Sequence, residues 1–254
     1  MGSLKQSFAW WSFVRGDADP VRIVREAARI GYAGVDFAPE EHWPLLRDHG
    51  LEIVAIGGHR SLTEGLNRRD LHTAIADEIA ASLDKAVAQG IPNLIVFAGN
   101  RVPGVSEAAA AAITAEGLQR VAPLAEQAGV TLVLELLNSR VDHTGYQADH
   151  TAWGVAVCEQ VGSPRVRLLY DVYHMQIMEG DIIATIRAQG GWFGHYHTGG
   201  VPGRHEIGDD QELNYRAIVC AICATGYDGF IAHEFLPTGD TVAALEEAFR
   251  IGEG

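Results

Sequence analysis

Four apolar runs, at residues 131–135, 166–171, 192–197 and 229–234, each close on a side chain that can bind a cation: Glu135, Asp171, His197 and Glu234. A carboxylate at the end of an apolar strand is costly unless something pairs with it. A divalent ion bound by one residue from each of four neighbouring strands removes that cost. Carboxylate oxygens with a single imidazole suit Mn²⁺ or Mg²⁺, with Co²⁺ as a further choice, better than an ion that prefers thiolates. Any one of these residues could serve as a helix cap or surface group. Four on consecutive strands favour a metal site.

Positioning them requires a scaffold of parallel strands. Further strand-like stretches fall at 7–11, 34–37, 51–56 and 93–98. Helix-like stretches fall between them at 19–30, 41–49, 69–89, 107–127, 149–161, 176–188, 212–224 and 241–251, with Pro20 suited to a first turn. Eight strands and eight helices in strict alternation predict an α/β fold, a (β/α)8 TIM barrel, as a single domain over 1–254. Gly31-Tyr-Ala-Gly34 and Gly226-Tyr-Asp-Gly229 repeat one pattern before the second and eighth strands. Glycine there can end a helix in a left-handed conformation and start the next strand tightly. No Gly-x-Gly-x-x-Gly follows a strand, so a dinucleotide fold lacks its signature. In a barrel the strand C-termini build the active site, which is where the four candidate ligands fall.

Composition narrows the class. The chain has 254 residues, 47% of them hydrophobic and 20% charged, which suits one large domain with a full core. Its formal charge of −14 repels phosphate backbones, so no nucleic-acid partner is expected. No apolar run reaches the roughly 20 residues of a membrane span, and the first five residues have no leader-like core. Three cysteines argue for a reducing compartment, with the cytoplasm as the expectation. The partner is then a small-molecule substrate, and apolar positions on outer helices leave room for a homo-oligomer.

Two further segments carry a family likeness. Tyr170-Asp171-Val-Tyr-His174-Met-Gln-Ile-Met-Glu179-Gly-Asp181 resembles a segment of hydroxypyruvate isomerases. So does Val201-Pro-Gly-Arg204-His205-Glu206, followed by Glu212-Leu-Asn-Tyr215. These enzymes lie in the xylose-isomerase-like barrel superfamily, beside ketose 3-epimerases and 2-oxotetronate isomerases. The resemblance runs along nearly the whole chain. It implies that Glu135, Asp171, His197 and Glu234 hold a metal, that Glu135 and Glu234 form the acid–base pair, and that His174 and Arg204 contact substrate. One position departs from the isomerase pattern: those enzymes carry Gln where this chain has His197, and histidine there is the epimerase pattern. The loop 138–146, Asn-Ser-Arg-Val-Asp-His-Thr-Gly-Tyr, departs as well.

The implied mechanism is a proton shuttle between adjacent carbons of a small hydroxy-carbonyl compound. A metal chelated by the carbonyl and neighbouring hydroxyl acidifies the C–H and stabilises a cis-enediolate. Arg204 would hold a substrate carboxylate, which favours hydroxypyruvate, converted to tartronate semialdehyde, or a related 2-oxo acid. A turn-rigidifying arginine and a structural His174 are the plainer readings. His59, in Gly57-Gly-His59 past the third strand, is a further pocket candidate. His195 is expected behind His197, and Trp10-Trp11 to divide between barrel mouth and outer helices. Cys220-Ala-Ile-Cys223 is read as core packing, not redox chemistry. The rival functions are ketose 3-epimerisation of a free sugar, DNA repair of the abasic-site endonuclease type, and a metal-free binding barrel.

Overall fold

Eight parallel strands succeed one another in chain order as a closed barrel in the computed structural model of the protein, which describes residues 4–253. Residues 1–3, which open the segment read as lacking a leader, and residue 254 lie outside the described residues. The strands are β1 (Lys5–Ala9), β2 (Gly34–Asp36), β3 (Glu52–Gly57), β4 (Asn93–Val96), β5 (Thr131–Glu135), β6 (Val166–Asp171), β7 (Phe193–Thr198) and β8 (Phe230–His233). The helices are α1 (Trp10–Phe13), α2 (Pro20–Ile30), α3 (Trp43–Asp48), α4 (His72–Gln89), α5 (Glu107–Ala128), α6 (Thr151–Val161), α7 (Val172–Met178), α8 (Ile182–Gln189), α9 (Tyr215–Ala224) and α10 (Thr241–Gly252). No helix among the described residues is long and apolar enough to cross a membrane.

The expected barrel is present, but strict alternation is not. Trp10 and Trp11 belong to α1 and not to the first strand, which ends at Ala9. The helix expected over 176–188 is two, α7 and α8, because Gly180 and Asp181 adopt left-handed conformations (φ 67° and 45°) that interrupt it. The helix expected from 212 begins at Tyr215, where the Asn214 side chain caps it by accepting from the Ala217 N–H.

Local chemistry explains the elements that hold. Asp19 caps α2 and Pro20 fills its first position. Gly31 ends the same helix at φ 119°, and a Cβ on Gly34 would come within 2.4 Å of the Val54 side chain, so the tight entry into β2 needs glycine. Strands covered on both faces read as unbroken apolar runs: Leu132, Val133 and Leu134 are fully buried, as are Leu94, Ile95 and Val96.

The chain forms two compact units. One comprises Met1–Val54, Asp181–Gly191 and His195–Gly254; the other comprises Ala55–Gly180 and Trp192–Gly194. In the first, β1 pairs with β2 and with β8, and β7 with β8. In the second, β3, β4, β5 and β6 pair in order.

Candidate active site

Glu135, Asp171, His197 and Glu234 are all buried, and each offers an atom that could hold a metal ion. Glu135 and Asp171 end β5 and β6, His197 is the next-to-last residue of β7, and Glu234 follows β8. Three hard oxygen donors with one imidazole fit a divalent ion of the Mn²⁺ or Mg²⁺ kind.

In the first unit, His197 lies between two carboxylates. Its Nδ1 is 3.0 Å from Glu234 Oε2, and its Nε2 is 3.4 Å from Asp36 Oδ2. A neutral ring has one proton to offer. If Nε2 gives it to Asp36, the Nδ1 lone pair faces Glu234 acceptor to acceptor, a pairing that a shared cation resolves. Asp36 is held in place by Ser7 Oγ at 2.7 Å and His195 Nε2 at 2.6 Å. Burial works to raise the Asp36 pKa, but the charges and hydrogen bonds of His195 and His197 outweigh it and hold the carboxyl well below its usual range. His195 thus takes the supporting position expected of it.

Glu234 has further partners. Trp11 donates its indole N–H to Oε1 at 2.8 Å. Arg204 donates from Nη2 to Oε2 at 2.5 Å and from Nε to the Glu234 carbonyl at 3.1 Å. The guanidinium also lies 5.2 Å from the Trp11 ring centroid. Burial again raises the pKa, and again His197 and Arg204, with hydrogen bonds from His197 and Trp11, bring it well below the ordinary glutamate value. Trp10, by contrast, packs against His42 with ring centroids 4.6 Å apart, so the two tryptophans do divide their duties.

In the second unit, buried His174 follows Asp171 on the first turn of α7, its backbone N–H donating to Asp171 Oδ1 at 3.0 Å. Its Nε2 is 3.7 Å from Asp171 Oδ2, and its Nδ1 is 2.7 Å from Asn138 Nδ2. His59 is held by the backbone: its Nε2 accepts from the Phe97 N–H at 2.9 Å. Burial pushes the His59 pKa down to about 4.

The sequence reading passed over Asp36 and Asn138. Asp36 bore the same mark as the candidate ligands Glu135 and Asp171, an acid closing a short apolar strand, but β2 is only three residues long. Asn138 lies in the loop after β5, where no periodicity singles out one polar residue. The cysteine reading needs correction. Cys220 is exposed and Cys223 half-buried, because α9 buries the stripe of Ile218, Val219, Ala221 and Ile222 and turns the cysteines away.

The xylose isomerase-like TIM barrel family profile matches residues 24–251. The chain belongs to that family. A human relative, provisionally named a hydroxypyruvate isomerase, is 30% identical over 92% of this chain and 90% of its own. A 2-oxo-tetronate isomerase of Cupriavidus necator is 35% identical over 66% of this chain and 64% of its own. Among solved structures, a Brucella melitensis protein described as an AP endonuclease, family 2, superposes with TM-score 0.80 at 26% identity, covering 95% of this chain and 97% of that one. A D-psicose 3-epimerase crystallised in the presence of D-fructose gives TM-score 0.77 at 20% identity over 98% and 96%, a likeness of fold.

Proposed function

We propose that the chain is a metal-dependent isomerase of small hydroxy-carbonyl acids, converting hydroxypyruvate to tartronate semialdehyde or acting on a related 2-oxo acid. The observation that carries this reading is that four buried residues at the ends of successive strands, Glu135, Asp171, His197 and Glu234, could hold a metal ion, two glutamates among them. Relatives named hydroxypyruvate isomerase and 2-oxo-tetronate isomerase support the substrate class. The whole chain, 1–254, acts in this reading as one catalytic domain, since no linker-like stretch interrupts its sequence.

Glu135, Asp171, His197 and Glu234 would hold the ion, which when bound supplies Lewis-acid polarisation of the substrate carbonyl. The chain's own residues do the rest. One of Glu135 and Glu234 takes the proton from the hydroxyl-bearing carbon, and the electron pair moves into the carbonyl to give a cis-enediolate. The same or the opposite glutamate returns a proton to the former carbonyl carbon, while the hydroxyl proton passes between the two oxygens. Atoms balance, and no oxidant or reductant is needed. Arg204, beside Glu234, is the group suited to the substrate carboxylate. His174 offers a hydrogen bond to a substrate oxygen, and His59 a pocket wall.

A second reading is ketose 3-epimerisation, favoured by histidine at position 197 and by the fold shared with the D-psicose 3-epimerase. Abasic-site cleavage has the Brucella structure's description behind it but must overcome a charge of −14. Proton NMR in D₂O of Mn²⁺- or Mg²⁺-activated, then Mg²⁺-exchanged, protein separates these. Deuterated tartronate semialdehyde from hydroxypyruvate establishes the isomerase. Deuterium at C3 of D-fructose or D-tagatose establishes the epimerase instead, and nicking of an abasic duplex alone would overturn both.

A further inference from the structure

The first polar residue of the loop after β5 reaches His174. Asn138 is fully buried. Its Oδ1 accepts from two backbone N–H groups, Val141 at 3.0 Å and Asp142 at 2.9 Å. Its Nδ2 therefore faces the other way, 2.6 Å from Asp142 Oδ2 and 2.7 Å from His174 Nδ1. Asp142 Oδ2 also accepts the Tyr173 hydroxyl at 2.8 Å. Flipping the amide would set its NH₂ against two backbone donors and its oxygen against a carboxylate. The orientation is fixed by four partners, and with it the fact that His174 Nδ1 receives a hydrogen bond.

We infer that Asn138 is a positioning residue that sets the tautomer of His174, so that the ring meets a substrate oxygen with its Nε2–H and not with a lone pair. A nitrogen that accepts from an amide carries no proton, which leaves the ring's one proton on Nε2. That edge is the one beside Asp171. A donor fixed there recognises a carbonyl or carboxylate oxygen, the groups a 2-oxo acid brings. The substrate clause rests on the function proposed above; the tautomer does not.

The test is two-bond ¹H–¹⁵N correlation of histidine-labelled protein free of paramagnetic ions, with His174 assigned by its loss in His174→Gln. Wild-type protein should show a bare Nδ1 and a protonated Nε2. In Asn138→Asp, one carboxylate oxygen can keep the backbone bonds while the other accepts from the ring, so the proton should move to Nδ1. In Asn138→Ala, a milder change should the Asp142 carboxylate not tolerate an acid, the two tautomers should mix. A protonated Nδ1 in wild type, or wild-type spectra in both folded variants, would overturn the inference. On whichever substrate the protein turns over, Asn138→Asp should lower kcat/KM about 10- to 100-fold. A moved proton with unchanged kcat/KM would overturn the substrate clause while leaving the tautomer assignment standing.

Discussion

Two histidines, one in each compact unit, are oriented by opposite means. His197 has an acid beside each ring nitrogen, Asp36 at Nε2 and Glu234 at Nδ1, whereas His174 has an amide donor, Asn138. An acceptor claims the ring's proton and leaves the other nitrogen a lone pair suited to a cation. A donor claims the lone pair and leaves the other nitrogen a proton suited to a substrate oxygen. In the proposed function one residue type would serve two roles, and its neighbours decide which. His59 extends the contrast, since a backbone N–H holds its Nε2 as Asn138 holds His174 Nδ1.

The glutamates mark the upper limit of what either histidine can do. Glu135→Gln and Glu234→Gln should each lower kcat by about 1000-fold or more with circular dichroism unchanged; near-wild-type rates in both would sink the shuttle. The contrast between the histidines is tested directly by metal affinity. Asp36→Asn should weaken Mn²⁺ binding roughly 10- to 100-fold in equilibrium dialysis, while Asn138→Ala leaves it within about twofold. Equal losses would erase the distinction.

Arg204→Ala should raise KM about tenfold or more for hydroxypyruvate and far less for a neutral ketose. Because Arg204 also holds Glu234, kcat should fall on both, so the KM split is the informative quantity. For His59 the readout is stability. Its folded pKa, about 4, lies below the ordinary 6.5, so the unfolded chain takes up a proton first as pH falls. Stability from this group is complete above about pH 6.5 and is lost toward pH 4, by about 3 kcal/mol in all. Urea unfolding of His59→Gln should show a shallower decline over that window; an unchanged slope would mean that His59 protonates in the folded protein. The smallest effect expected is from Trp11→Phe, which removes one N–H donor to Glu234 and should cost turnover severalfold, about 1 kcal/mol.

Much of this was legible beforehand because strand ends announce themselves. Glu135 closes an apolar run and Asp171 follows Leu168, Leu169 and Tyr170, and the structure ends β5 and β6 at those residues. The breaks were less visible. Gly180, at φ 67°, was the local mark of the break between α7 and α8, whereas Asp181 takes a positive φ that its side chain only tolerates. Arg204 was chosen for a substrate carboxylate, and its bond to the Glu234 carboxylate joins residues 30 apart, beyond any local pattern.

By itself the sequence determined the parallel barrel, through its spacing of apolar runs, and the four residues fit for a cation, through their place at the ends of those runs. Both follow from periodicity and burial cost, which act locally along the chain. Only the tertiary structure decided which groups meet each histidine nitrogen. That choice depends on Asp36, 161 residues from His197, and on Asn138, 36 residues from His174. Hydrogen-bond polarity is a property of a contact, and such contacts exist only once the chain has folded.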